Sequence, residues 1–342
     1  MGNTSTARGG RAVRMLDVAA AAGVSRSTVS NVMQGRDSVD AALRERVLTH
    51  AQKLGYVYDR GAASLRMRQS GLVGLIVPDL ANPFITQAVR GIQAVMYQRG
   101  YLVTSIETND EFEHQTIVLR SLAEHRVDGV ILLPSLTTDT DHLPIRLRGV
   151  PSVLLSRGTS LEGLPQVGSD DVAVGQLGAR HLVLDHRCRT VAYFGGVEQA
   201  PPRIQRANAF ADFVRSSDAQ IDRSWSVPCD ATPGAAYRRA TALIASANPP
   251  NGVYCHSDRI AYGLLRALHE AAIPRSRCRV VGCEDLPDSA FWNPSLTSVA
   301  VDPYSIGRVA AQELLRALGE TGEPEAVSPP QLHARESCGC RD

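Results

Sequence analysis

From Leu72 onward the chain alternates short apolar runs with longer helix-forming stretches, and few architectures accept that pattern. "LVGLIV" (72–77) reads as a buried strand. "ANPFITQAVRGIQAVMYQRG" then reads as a helix, with Pro83 near its start and Gly100 at its end. "YLVTSIE" is the next strand, 111–125 a helix, "GVILLP" a strand, and "PSVLLS" (151–156) closes a first half. A second half repeats the alternation: helices over 171–185, 204–216, 234–247 and 260–272, with strands "TVAYFGG", "SWSVPC", "NGVYCHSD" and "RVVGCED" between and after them. Continuous apolar strands separated by helices form parallel sheets covered on both faces. Two halves of this length predict an α/β body of two doubly wound parallel-sheet subdomains.

The preceding seventy residues follow a different rule. Leu16–Ala22 is Ala-rich and helix-forming. Gly23 breaks the run and permits the positive φ of a tight turn. Ser25 suits the N-cap of a second helix. On that helix Arg26, Ser27, Ser30 and Asn31 fall on one arc, opposite Thr28, Val29 and Val32. Helix, glycine turn, then a helix with a polar N-terminal face is the helix-turn-helix pattern. Asp40 caps a third helix, along which Leu43, Val47, Ala51 and Leu54 recur at helical spacing, and Gly55 stops it. "DRGAASLRMRQSG" (59–71) then favours helix but is too short to hold one alone in water.

Charge separates the two parts. Residues 1–70 carry eleven Lys and Arg against five acids, so a head of +6 sits on a remainder of −5 within a chain of net charge +1. A basic module on an acidic body is the footprint of a nucleic-acid-binding head. Residues 1–13 are small, polar and basic, without the apolar core of a signal peptide, and are expected to be disordered. No run reaches transmembrane length, so no membrane partner is expected. Seven scattered cysteines fit reduced thiols in a cytoplasmic protein. Cys338 and Cys340 have no second Cys/His pair at metal spacing, so no metal site and no cofactor are expected. His181 and His186 are expected on a helix surface. Nucleotide-binding, nucleophile-elbow and zinc-hydrolase motifs are all missing from the sequence, so an enzyme is not expected.

Three blocks, "LDVAAAAGVSRSTVSNVMQG", "LRERVLTHAQKLGYVYDR" and "AASLR", occur in order and at fixed spacing. Together they resemble the headpiece and hinge of the lac/gal repressor family. The resemblance continues through the body, which is similar to periplasmic-binding-protein-like folds. Tyr58 stands where the family often has Pro. The resemblance implies a helix-turn-helix domain over 14–58, a hinge helix over 59–70 and an effector-binding and dimerisation body over 71–342. It implies chain crossings near 168–171, 297–302 and 327, hence one subdomain of about 71–169 and 300–327 and another of about 170–299 and 328–342. It also implies a transcriptional repressor that binds a palindromic double-stranded DNA operator as a homodimer under the control of a small-molecule effector, most often a sugar. The competing expectation, a solute-binding protein without a DNA function, fits the body but not the basic head.

Candidate residues follow from the pattern and the resemblance. For DNA they are Ser25, Arg26, Ser27, Thr28 and Asn31, with Leu65 as a wedge between base pairs and Arg66 on phosphate or in the minor groove. For the effector, open parallel sheets bind ligands beyond the carboxyl ends of their strands. That rule selects Asp79, Asn82 and Phe84 after the first strand, Arg157 after "SVLLS", Arg203 and Arg206 after "TVAYFGG", and Asp258 after "GVYCHS". The resemblance assigns effector contacts to Arg206 in "RANAF", Asp258 in "SDRIAYG" and Phe84 in "NPF". Where many members keep an aromatic, this chain has Ala231. No heptad tail follows the body, which favours a dimer over a tetramer.

Overall fold

The computed structural model describes residues 13–33, 39–58, 69–136, 149–157 and 163–340. The chain divides into two compact units, 1–70 and 71–342.

In the first unit, α1 (Met15–Ala22), α2 (Arg26–Met33) and α3 (Ala41–Leu54) pack around Val18, Ala19, Ala22, Val29, Val32, Val47 and Ala51. Each boundary has a local cause. The Asp17 carboxylate accepts from the Arg14 N–H (2.8 Å) before α1, and Gly23 ends α1 at φ 65°. Asp40 accepts from the Ala42 and Leu43 N–H groups, and Gly55 ends α3 at φ 66°.

The second unit holds two sheets. The first runs in the order β2–β1–β3–β4–β5, built from β1 (Leu72–Val77), β2 (Leu102–Glu107), β3 (Gly129–Leu132), β4 (Ser152–Leu155) and β5 (Gln166–Val167), all parallel. Between them lie α4 (Pro83–Gln98), begun by Asn82 capping the Phe84 N–H at 3.0 Å, and α5 (Phe112–Glu124). The second sheet runs β11–β10–β9–β8–β6–β7. Its strands are β6 (Thr190–Phe194), β7 (Gln220–Ile221), β8 (Gly252–Cys255), β9 (Arg279–Glu284), β10 (Thr297–Ala300) and β11 (Gln331–His333). Four helices accompany it in sequence: α6 (Asp171–Arg180), α7 (Pro201–Arg215), α8 (Pro233–Ser246) and α9 (Asp258–Glu270). After β10 the chain returns to the first lobe as α10 (Pro303–Ala317), which packs Ile306, Val309, Ala310, Leu314 and Leu315 into the core containing Val73, Leu75 and Ile92. β11 then joins β10 antiparallel, so the "PPQLHARES" tail does add a strand to the second sheet.

One expectation fails, and another holds in its bounds but not in its helix type. "SWSVPC" is not a strand: only Cys229 makes an isolated bridge, to Gly196, and the strand beside β6 is Gln220–Ile221. Its apolar residues serve another purpose, since Trp225 is fully buried as a plug in the core with Phe194 and Val253. The helix expected over 171–185 is α-helical only to Arg180 and continues as a π turn, His181–Asp185.

Candidate functional site

In the first unit, the Ser25 hydroxyl accepts from the Thr28 N–H (3.1 Å) and lies 2.7 Å from the Ser27 hydroxyl and 2.8 Å from that of Thr28. The hydroxyls thus gather at the start of α2. Arg26 and Ser27 are exposed, Asn31 is half-buried, and Val29 and Val32 anchor the opposite side. A helix N-terminus with an exposed Arg and clustered hydroxyl groups suits a phosphate backbone and the acceptor edges of guanine. Leu65 and Arg66 lie outside the described residues.

In the second unit, the strand ends of the two lobes supply a polar cleft. Arg259, at the start of α9, reaches Asp79 after β1 at 3.6 Å, so side chains from the two lobes meet. Asp79 also caps the Ala81 N–H at 2.7 Å. Phe84 is half-buried and packs against the cores of both lobes. Arg157 donates to Asp110 (2.5 Å) and to the Pro134 carbonyl (3.3 Å). Arg206 is buried; its Nε donates to Asp171 (2.6 Å) and its Nη1 to the His256 carbonyl (3.2 Å). That one guanidinium therefore ties the start of α6 to the end of β8. A charge buried this deeply requires such pairing.

The electrostatics show which groups share space. Burial, then the charges of Arg206, Arg203 and Arg157, hold His256 well below the usual imidazole range. His256 Nδ1 lies 2.7 Å from the Tyr193 hydroxyl. Burial lifts the Asp258 carboxyl to about 7 and that of Glu284 to about 8, the latter with help from Asp258 and against Arg206 and Arg259. Arg157 from the first lobe and Arg203 and Arg206 from the second therefore lie around an uncharged His256, and Glu284 lies near Asp258, Arg206 and Arg259.

The residues selected from sequence are not equivalent. Asp258 accepts from the Leu286 N–H (2.8 Å) and from the hydroxyls of Ser289 (2.5 Å) and Ser298 (2.6 Å). Both of its oxygens are engaged within the protein, where they fix the turn after β9. Glu284 was not selected, yet its Oε2 is buried without a hydrogen-bond partner and its backbone sits at φ 103°. The strand-end rule that chose Asp79 and Arg157 would have chosen Glu284 after "RVVGC" had it been applied there. Sequence does not single out Arg259, which follows an Asp already taken as the effector contact, or Asp110, which follows an Asn that reads as a turn residue. His181 is not on a helix surface: it is 3% exposed and faces the chain terminus.

Residues 14–59 match the family described as "Bacterial regulatory proteins, lacI family", and residues 179–338 match "Periplasmic binding protein-like domain". The chain is 31% identical to the HTH-type transcriptional regulator MalR of Streptomyces coelicolor, over 95% of this chain and 96% of the relative. It is 30% identical to the ribose operon repressor of Halalkalibacterium halodurans, over 88% and 89%. Among solved structures it is similar to a transcriptional regulator CelR–cellobiose complex, with a TM-score of 0.71 at 29% identity, covering 95% of this chain and 99% of the other. With a helix-turn-helix head, a two-lobed body and full-length relatives at this identity, the chain belongs to the lacI family of bacterial regulatory proteins and is a DNA-binding transcriptional regulator.

Proposed function

We propose that the protein is a cytoplasmic repressor that binds a near-palindromic operator as a homodimer and releases or grips it according to a small polyhydroxylated metabolite held between the lobes of its body. The observation that carries this reading is the set of strand ends where the lobes meet: arginines and carboxyls side by side, with Phe84 packed against both lobes. Charged forks and carboxylates grip hydroxyl pairs bidentately, which suits a sugar better than an apolar ligand. The named ligand of the similar regulator, cellobiose, is of that class.

Arg26, Ser27 and Asn31 read bases, Ser25 and Thr28 set the helix on phosphate, and Arg66 and Leu65 act at the minor groove. Arg206 and Asp258 shape the cleft through their internal partners, whereas Asp79, Phe84, Arg157 and Glu284 face the ligand. One head of this size buries little DNA, so useful specificity needs two. Tyr97 (82% exposed) and Leu102 (66% exposed) line one recess beside the edge strand β2 and offer the pairing surface.

Selection of binding sites from random duplexes tests the head. The wild type is expected to return a near-palindrome, and Arg26→Ala to lose about 1–3 kcal/mol on it and relax one symmetric base pair. An identical consensus and affinity for both proteins would remove Arg26 from base reading.

A further inference from the structure

Four side chains that no part of the regulatory reading uses converge at the far end of the second lobe. His181 and His186 lie at the end of α6, and Cys338 and Cys340 close the described chain. His181 Nε2 is 3.3 Å from Cys338 Sγ and 4.0 Å from Cys340 Sγ, His186 Nε2 is 3.3 Å from Cys340 Sγ, and the two Nε2 atoms are 3.2 Å apart. All four ligand atoms lie within 4.8 Å of one another. A tetrahedral ion with Zn–N near 2.0–2.1 Å and Zn–S near 2.3 Å requires its ligand atoms to be about 3.3–3.8 Å apart. The separations of 3.2, 3.3 and 3.3 Å lie at the short end of that scale, and the fourth, 4.0 Å, lies just beyond its long end.

The backbone explains how the pairs form. Residues five apart on an α-helix point about 140° away from each other. Here the segment is a π turn, with the His186 N–H donating to the His181 carbonyl at 3.1 Å, and this brings the two imidazoles to one side. On the other side Gly339 sits at φ 89°, a left-handed step that folds Cys340 back beside Cys338. Glycine takes that step without the clash a Cβ would bring.

The surroundings fit a cation as well. Asp185 Oδ2 lies 2.8 Å from His181 Nδ1, which places the ring proton on Nδ1 and leaves the Nε2 lone pair facing the cluster. A carboxylate behind a histidine is the usual outer partner of a metal ligand. His181 and Cys338 are buried, whereas His186 and Cys340 are half-buried and leave a way in from solvent. Without an ion, two imidazole nitrogens and two sulfurs face one another with few protons to share.

We infer that His181, His186, Cys338 and Cys340 bind one Zn2+ in a closed tetrahedral site that pins the C-terminal segment to the second lobe. Two nitrogen and two sulfur donors in this geometry favour zinc over hard cations. Four protein ligands leave no open position, so the site is structural rather than catalytic. Binding displaces the two thiol protons to solvent and changes no oxidation state.

The test is metal analysis of the full-length protein, purified without a metal-affinity step. The expected result is one zinc per wild-type chain, lost in Cys340→Ser and in His186→Ala. The protein reconstituted with Co2+ should show thiolate-to-cobalt charge transfer and the strong visible bands of a tetrahedral site. Asp185→Asn, which touches no ligand atom of the ion, should weaken zinc binding about 10–100-fold. Circular dichroism of each variant checks that it has folded, and Cys340 and His186 are changed because they are the less buried pair. Equal zinc in wild type and variants, no zinc in the wild type, or a Cys338–Cys340 disulfide in protein kept under reducing conditions would each overturn the site.

Discussion

Glu284 and Asp258 lie close together at the strand ends of the second lobe, and their surroundings give them different work. Asp258 has three internal donors for its carboxylate, so it holds the turn after β9 in place. Glu284 has a buried oxygen with no donor, and it faces Asp258, Arg206 and Arg259. Its carboxyl is lifted by burial to about 8, above the value of about 4.3 in an unfolded chain. The folded state therefore keeps this proton to higher pH than the unfolded one. The associated stability is complete below about pH 4 and is lost as pH rises through about 8, at about 1.4 kcal/mol for each unit of displacement. Glu284→Gln should flatten that decline: melting of the variant should change less than wild type between about pH 5 and 8. Parallel profiles would mean that Glu284 does not titrate in this range. At this scale the sequence was partly legible. Strand ends located Asp79, Arg157 and Arg206, but which carboxylate has spare hydrogen-bonding capacity depends on Ser289 and Ser298, far along the chain. The pairing of His181 with Cys338 spans 157 residues, so no local spacing announces it.

The elements were more legible than the residues, because apolar runs and caps are local signals. Pro83, Asn82, Asp40, Gly23 and Gly55 mark their boundaries for reasons visible in four-residue windows. "SWSVPC" misled because an alternating apolar pattern serves a plugging loop as well as a strand, and burial of Trp225 decides between them. Packing between elements depends on pairs of small residues. α4 and α10 cross where Gly91 and Gly307 allow their backbones to touch. A Cβ at Gly91 would stand 2.1 Å from the Tyr304 carbonyl oxygen, and one at Gly307 2.1 Å from that of Ala88. Backbone atoms cannot swing aside as a flexible side chain can. Gly91→Ala should therefore destabilise the protein by about 1–3 kcal/mol despite its better helix propensity. Urea unfolding measures this, and a variant as stable as wild type would show that the helices separate freely.

At the scale of the whole molecule, the proposal joins a head, a body and a second copy. A body-to-body dimer through the recess of Tyr97 and Leu102 should be broken by Leu102→Glu, since a charge there would be desolvated on pairing. Sedimentation should then show monomers, with operator affinity reduced and its salt dependence shallower because half the phosphate contacts are gone. A dimer that persists would place the interface elsewhere. Arg259 meeting Asp79 joins the two lobes across the cleft. Among the described residues no helix is long and apolar enough to cross a membrane.

In the proposed switch, occupancy of the cleft and occupancy of the operator are coupled, and a coupling free energy is measured by one ligand's effect on the other. A thermal-shift screen of sugars and related metabolites finds the ligand, because tight binding raises the melting temperature by mass action. Fluorescence anisotropy on the selected operator, with and without saturating ligand, then reads the coupling. The coupling should change operator affinity by about fivefold or more, in either direction. A metabolite that saturates the cleft and leaves operator affinity unchanged would contradict it.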